Sequence, residues 1–330
     1  MKVPKPRKLP SGSWFIRVTV DGKVYSITRP TKAEAQAAAM EIKLSDKKPA
    51  ADVTVAEAIE RYISERENIL SPSTIRGYRI IQRNRFQSVQ HLKISAVKNW
   101  QKVVNEEAKI CAPKTLKNSW LFLVSVLKQN GVEAGKIALP AIPKSTHPFL
   151  DYEQIKVFMS VIEDTEIEVP CLLALHGFRC SEMLPMTTAN KVGNLLVMSG
   201  TMVPDQNNNF VFKETAKNET SSRSVPIMIP RLAKLIEAKD GPLVTMHPNA
   251  LRKAINRTCE KNGLPEVGIH GLRHSFASLC YHLGLSEMQT MELGGWKDAS
   301  TMRKIYTHLA QQDKNRSVEK LTEFFSTPKM

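Results

Sequence analysis

Aromatic residues are scarce. Phe, Tyr and Trp make up 6% of the 330 residues, too few platforms for a protein built to stack on unpaired bases. The five cysteines (Cys111, Cys171, Cys180, Cys259 and Cys280) are scattered and form no CxxC pair. That spacing argues against a zinc site or a disulfide framework and fits reduced thiols in a cytoplasm. No apolar run approaches the roughly 20 residues of a membrane span. No secretory leader is expected, because Lys2, Lys5, Arg7 and Lys8 run into prolines and a strand-like segment rather than an apolar stretch. Neither a P-loop nor an evident carboxylate cluster for two-metal catalysis occurs, so no cofactor is expected and no metal. Repeats and low-complexity tracts are missing too. What is left is an ordinary composition, 42% hydrophobic and 24% charged, able to bury real cores in two to three domains.

Charge of one sign dominates. Lys and Arg number 47 against 32 Asp and Glu, a formal net charge of +15. Such an excess favours a polyanionic partner, since each phosphate neutralised releases counterions. A merely basic or ribosome-associated protein is the plainer alternative. A membrane surface is a poorer one, because no long basic amphipathic helix stands out.

Three segments of different character follow one another. In residues 12–28 two β-rich runs flank Asp21-Gly22, a strong hairpin signal. Thr31-Lys-Ala-Glu34 is a capping box opening an Ala-rich helix to about Leu44. Residues 1–46 thus read as a small sheet-plus-helix module, either an appendage or a β-sheet DNA reader carrying Arg17 and Lys23. After a linker over 45–51, residues 52–137 read as an all-α bundle. It opens on a second capping box, Thr54-Val-Ala-Glu57, and carries an N-cap and N1 proline at Ser71-Pro72. The stripe Ile75, Tyr78 and Ile81, then Leu92, Ile94, Val97 and Trp100, continues a mainly helical core pattern. Leu116, Trp120, Leu121, Leu123, Val124 and Leu127 form another over Thr115–Gln129. Arg76, Arg79, Arg83, Arg85, Lys114, Lys117 and Lys128 surround these stripes. Together they suit contact with a DNA backbone, although each alone would by default be a solvated side chain. The Pro-rich stretch 141–148 marks a second boundary. Residues 148–330 read as a larger mixed α+β domain, mainly helical, with strand-like runs at Leu195–Met198, Asn209–Lys213 and Ser224–Ile229.

The last domain carries the chemistry. His270-Gly-Leu-Arg273 places two side chains at i and i+3, on one face if a helix runs through them. Arg179 follows Gly177-Phe178 and alone would be a structural arginine paired with Glu182. Lys217 lies in a polar turn between strands and alone would be a solvated loop lysine. Tyr306, in Arg303-Lys-Ile-Tyr-Thr-His308, alone would be a half-buried helix tyrosine.

In order and spacing these residues resemble the tyrosine recombinase (phage integrase) family. The matching stretches are Gly177-Phe-Arg179-Cys-Ser-Glu182, Lys217 with Arg223-Ser-Val-Pro-Ile227, His270-Gly-Leu-Arg273-His-Ser-Phe-Ala277, Leu293-Gly-Gly-Trp296 and Tyr306-Thr-His308. The pattern spans about residues 150–310. Trp296 stands where most members have histidine, and Cys180 where an apolar residue or arginine is usual. Lys213 rivals Lys217 if the hairpin is longer.

The resemblance implies roles that elementary chemistry supports. Arg179 and Arg273 would clamp the nonbridging oxygens of a phosphodiester. Trp296 would add an N–H donor without proton chemistry. Tyr306, a poor nucleophile at its free pKa of ~10, would attack phosphorus with His270 as base and Lys217 as the acid protonating the leaving oxygen. The product would be a 3′-phosphotyrosine, rejoined without ATP or metal. By the same resemblance residues 1–46 would be an arm-type DNA-binding domain and 52–137 a SAM-like core-binding domain. The partners implied are double-stranded attachment sites, a homotetramer on DNA whose C-terminal tail (Asp313–Phe325) docks on a neighbouring protomer, an excisionase and a host DNA-bending protein. The activity implied is integration and excision of a phage or other mobile element. A type IB topoisomerase would use the same chemistry without exchanging strands, and a DNA-binding regulator with a decayed site would use none of it.

Overall fold

A computed structural model gives the fold and describes residues 4–20, 23–45, 53–143, 148–214, 223–296 and 299–312, with Val318, Thr322, Phe325 and Ser326. The chain divides into two compact units, Met1–Pro143 and Lys144–Met330.

The first unit contains two separate apolar clusters. Strand β1 (Arg7–Lys8) pairs with β2 (Trp14–Val20), which pairs antiparallel with β3 (Lys23–Arg29) in the register Ile16↔Ile27 and Val18↔Tyr25. The alternation along the strands puts Ile16, Val18 and Ile27 on one face, where Ala35 and Ala39 of helix α1 (Lys32–Ser45) cover them. The Thr31 hydroxyl accepts the Glu34 N–H at 3.2 Å, as the capping signature requires. Strand β1 has no sequence signal; a tight turn, in which the Gly12 N–H reaches the Leu9 carbonyl, folds it back onto β2.

The second cluster lies in the helices α2 (Val55–Ser64), α3 (Pro72–Asn84), α4 (Gln87–Gln90), α5 (Trp100–Glu107) and α6 (Pro113–Gln129). The Thr54–Glu57 capping box is complete. Ser71 sits at the N-cap of α3 without capping it, because its hydroxyl pairs with that of Ser73. Two expectations are corrected. Residues 91–99 are not helical: Val55 N–H reaches Leu92 O at 3.0 Å and Ile94 N–H reaches Val53 O at 2.9 Å, so this stretch pairs with the chain entering α2. Leu121 and Leu92 are exposed rather than core. The buried face of α6 runs through Leu116, Trp120, Leu123 and Leu127, with Phe122 beside it, and leaves position 121 on the far side.

The second unit packs α7 (Tyr152–Ile162), α8 (Glu168–Leu175), α9 (Cys180–Met183), α10 (Pro230–Glu237), α11 (Pro248–Lys261), α12 (Ile269–His282), α13 (Glu287–Gly294) and α14 (Ala299–Gln312). Helices α8 and α12 are buried almost all round and lie against each other at the centre. The sheet β4 (Lys191–Val192), β5 (Leu195–Val197), β8 (Ser224–Pro226) and the hairpin β6 (Gly200–Pro204) with β7 (Phe210–Glu214) complete it. β6 was not expected, since Gly200 and Pro204 at its ends mask a short Thr-Met-Val run. Most of the expected tail helix lies outside the described residues; Val318 and Phe325 are helical and exposed. No helix among the described residues is long and apolar enough to cross a membrane.

Candidate active site

Two turns that touch backbone to backbone create the site. His176 ends α8, its Nδ1 2.8 Å from Leu172 O, while its Nε2 accepts the N–H groups of Met228 at 2.9 Å and Ile229 at 3.3 Å. A nitrogen that accepts two N–H groups is unprotonated, so Nδ1 carries the proton, and burial holds the pKa of this histidine below its usual range. Gly177 follows with φ +79°, and a Cβ there would lie 2.9 Å from the Cα of Gly294. Only glycine permits both the conformation and the approach. Gly295 closes α13 in the left-handed conformation at φ +64°.

The arginines converge on this contact. Arg179 Nη2 donates to the Gly295 carbonyl at 3.4 Å, and Arg273 Nη2 donates to the same oxygen at 3.3 Å. Arg179 keeps 44% of its side chain exposed, whereas Arg273 is 1% exposed, its guanidinium 4.0 Å above the Trp296 ring. Phe276 backs that ring in a parallel stack. Trp296 therefore meets Arg273 through its face here. The Glu182 carboxylate accepts from the Arg179 backbone N–H at 2.8 Å and from its Nη1 at 2.6 Å. It also pairs with Arg223 at 3.5 Å. Arg179 and Arg223 thus share one carboxylate, and with Arg273 nearby the site holds a local excess of positive charge.

Burial, then the neighbouring Arg179 charge, pulls the Arg273 pKa down to about 9; burial brings Arg223 to about 10. Both stay protonated at neutral pH. Among the described residues, Arg273 Nη1 and Arg223 Nε and Nη1 are buried without a hydrogen-bond partner. Of these, Arg273 Nη1, a buried, unsatisfied and positively charged donor, suits a tetrahedral oxyanion.

The remaining predicted residues are placed less closely together. The helix that the His270–Arg273 spacing requires is α12. His270 is exposed on its first turn, its ring edge-on to His274 at 4.5 Å. Lys217 lies outside the described residues; Lys213 is exposed on β7, opposite Thr201. The Tyr306 hydroxyl is hydrogen-bonded to Thr290 and donates to Leu285 O at 3.3 Å, with its ring edge-on to Tyr281. Tyr281 lies eight residues beyond Arg273 on α12, about 12 Å along the axis. Burial pushes the Tyr306 pKa up.

On the first unit, Arg17 is exposed beside the Phe15 ring; the Lys23 side chain lies outside the described residues. Lys114, Lys117 and Arg83 are exposed, and Arg76 is half-buried. Arg79 is engaged by Glu60, and Arg85 pairs with the buried Glu107 at 3.6 Å. Reading the sequence missed Arg223 and Thr290 as site residues. Arg223 stood in the quoted Arg-Ser-Val-Pro-Ile stretch and was the one with a usable signal.

A domain that gathers buried arginines at a glycine contact, with a tyrosine on the helix beyond, is of the tyrosine recombinase class. Residues 148–313 match the model of the phage integrase family, and the chain belongs to that family. It is similar to a XerC-like tyrosine recombinase of Caldanaerobacter subterraneus subsp. tengcongensis, 23% identical over 246 residues, covering 60% of this chain and 61% of that protein. The match therefore spans less than two thirds of that relative. Among solved structures the fold resembles the Tn1549 transposon integrase in complex with transposon right end DNA (TM-score 0.62, 16% identity, 82% of this chain and 100% of that one). It also resembles a lambda integrase tetramer bound to a Holliday junction (TM-score 0.57, 16% identity, 92% of this chain and 94% of that one).

Proposed function

We propose that this protein is a site-specific DNA recombinase that cuts and rejoins duplex DNA through a 3′-phosphotyrosine on Tyr306, integrating and excising a phage or other mobile element. The observation that carries this reading is the sharing of the Gly295 carbonyl by Arg179 and Arg273, with Arg273 Nη1 buried and unsatisfied beside it. Charge that grows on the nonbridging oxygens as a fifth oxygen enters would meet preformed guanidinium donors there. The tyrosine oxygen forms a bond to phosphorus as the P–O5′ bond breaks. His270 takes the phenol proton, Lys217 gives one to the departing 5′-oxygen, and the steps reverse on rejoining. Trp296 holds Arg273 from beneath. Tyr306 must leave Thr290 to reach the phosphate, a local rearrangement within this unit.

Residues 1–46 would bind arm sites and 52–137 core sites, with Arg17, Lys23, Arg76, Arg79, Arg83, Lys114 and Lys117 on the phosphates. The active form would be a homotetramer on DNA, assisted by an excisionase and a host DNA-bending protein, in the cytoplasm of a bacterial host. The test uses a duplex sequence selected by the protein from a random pool, nicked so that cleavage releases a short fragment. A denaturant-stable protein–DNA adduct is expected from the wild type and not from Tyr306→Phe. Binding without an adduct from either would leave a DNA-binding regulator, and relaxation without exchange between duplexes would leave a topoisomerase.

A further inference from the structure

We propose that Arg223 is a positioning residue for strand cleavage: it staples the Arg179 turn to the Gly294–Gly295 turn and so sets both guanidiniums of the clamp. The inference rests on the reading of this site as one that cleaves DNA through Tyr306.

Arg223 begins the stretch leading into β8, and its side chain runs inward to 14% exposure. Its Nη2 donates to Gly177 O at 3.3 Å and to Leu293 O at 3.4 Å. Those carbonyls belong to the two turns that meet at the Gly177–Gly294 contact. Its Nη1 lies 3.5 Å from Glu182 Oε2, the carboxylate whose other oxygen holds Arg179 Nη1. Its guanidinium lies 4.8 Å above the Phe178 ring, next in sequence to Arg179. A Cβ on Gly295 would meet its Nη1 at 2.3 Å, so the glycine that supplies the shared carbonyl rests directly on this side chain. Arg223 therefore touches both carriers of the clamp, Glu182 for Arg179 and the Gly295 turn for Arg179 and Arg273 together.

Chemistry argues against a purely structural cross-link. Burying a third guanidinium beside two others is costly, and an apolar side chain would fill the same space at less cost. Burial and the Arg179 charge both lower its pKa. A planar fork is what two carbonyls and a carboxylate in different directions demand. Lysine, a single point charge, does not meet all three.

The test uses the full-length protein and the selected nicked duplex, with protein in saturating excess so that adduct formation is a single turnover. Arg223→Lys keeps the charge and Arg223→Gln removes it, which guards against misfolding of either one. Duplex Kd and melting temperature are read for both. The expected result is adduct formation slowed about 30- to 100-fold with Kd changed less than about threefold. Combined with Arg179→Lys, the Arg223→Lys change should slow the reaction little further, because both act through one geometry. Wild-type rates in both variants, or full multiplicative loss in the double variant, would overturn the positioning role. Unfolding of both variants would assign Arg223 to stability alone. A wild type that binds the duplex and forms no adduct would instead overturn the cleavage reading itself, and the positioning role with it.

Discussion

The hydroxyl of Tyr306 is hydrogen-bonded to that of Thr290, a fully buried residue on α13, while the clamp arginines gather near the other end of α12. The proposed nucleophile is thus satisfied by its own domain. Thr290→Val removes one partner and leaves the Leu285 carbonyl. A net hydrogen bond of about 1 kcal/mol predicts adduct formation about fivefold faster, because less is lost when the tyrosine departs. Burst kinetics on the nicked duplex would show it; a tenfold slowing would place Thr290 among the groups needed during cleavage.

The glycine contact should be intolerant for a steric reason separable from backbone strain. Gly177 and Gly193 both have positive φ, but only Gly177 has another backbone within reach of a Cβ. Gly193→Ala is expected to cost about 1 kcal/mol from conformation alone, with cleavage unchanged. Gly177→Ala should cost about 3 kcal/mol or more and abolish adduct formation. Urea unfolding of the two variants separates the contributions, and equal costs would refute the clash.

Glu182→Gln leaves Arg179 and Arg223 without their shared carboxylate and removes the negative charge nearest Arg273. Breaking a buried pair in this way predicts a loss of about 3 kcal/mol. Added sulfate should restore much of it by supplying negative charge, a gain in melting temperature larger than in the wild type. An identical sulfate response in both proteins would rule out charge repulsion as the cause.

His176 gives stability a definite pH dependence. Its folded pKa lies below the unfolded value of about 6.5 because burial disfavours the imidazolium. The unfolded state therefore binds the proton more readily. The stabilisation is complete above about pH 6.5 and is lost as pH falls through the folded pKa. His176→Gln keeps an acceptor for the Met228 and Ile229 N–H groups but does not titrate. Urea midpoints at pH 7.5 and 5.0 should fall further in the wild type than in this variant.

On the helical bundle, exposed lysines and paired arginines should behave differently towards DNA. Lys114 and Lys117 are exposed, whereas Arg79 is held by Glu60. Replacing both lysines by alanine should reduce the slope of log K against log salt by about 1.8, at about 0.9 per phosphate contact. Arg79→Ala should change it less. Equal slopes for all three proteins would move the DNA interface away from α6.

Much of this protein was legible without coordinates because it is written in local chemistry. Capping signatures at Thr31 and Thr54, the pairing of β2 with β3 and the stripe of α6 depend on residues within a few positions of one another. Arg179, His270, Arg273 and Tyr306 were singled out by order and spacing, and the helix through His270 and Arg273 is there. Residues 91–99 misled because their apolar pattern fits a helix equally well. Their backbone instead pairs with Val53 and Val55, a choice made by distant residues.

Sequence alone therefore determined most element types, the positive charge and the side chains proposed to act on a phosphodiester, because propensity, periodicity and functional-group chemistry are properties of short stretches. Only the tertiary structure decided that Arg179 and Arg273 share one carbonyl, that Arg223 lies buried between their turns, and that the Tyr306 hydroxyl rests on Thr290. Those relationships join residues 16 to 116 positions apart. The arginine contacts exist because glycines at 177, 294 and 295 let two backbones touch, a distance that no local pattern encodes.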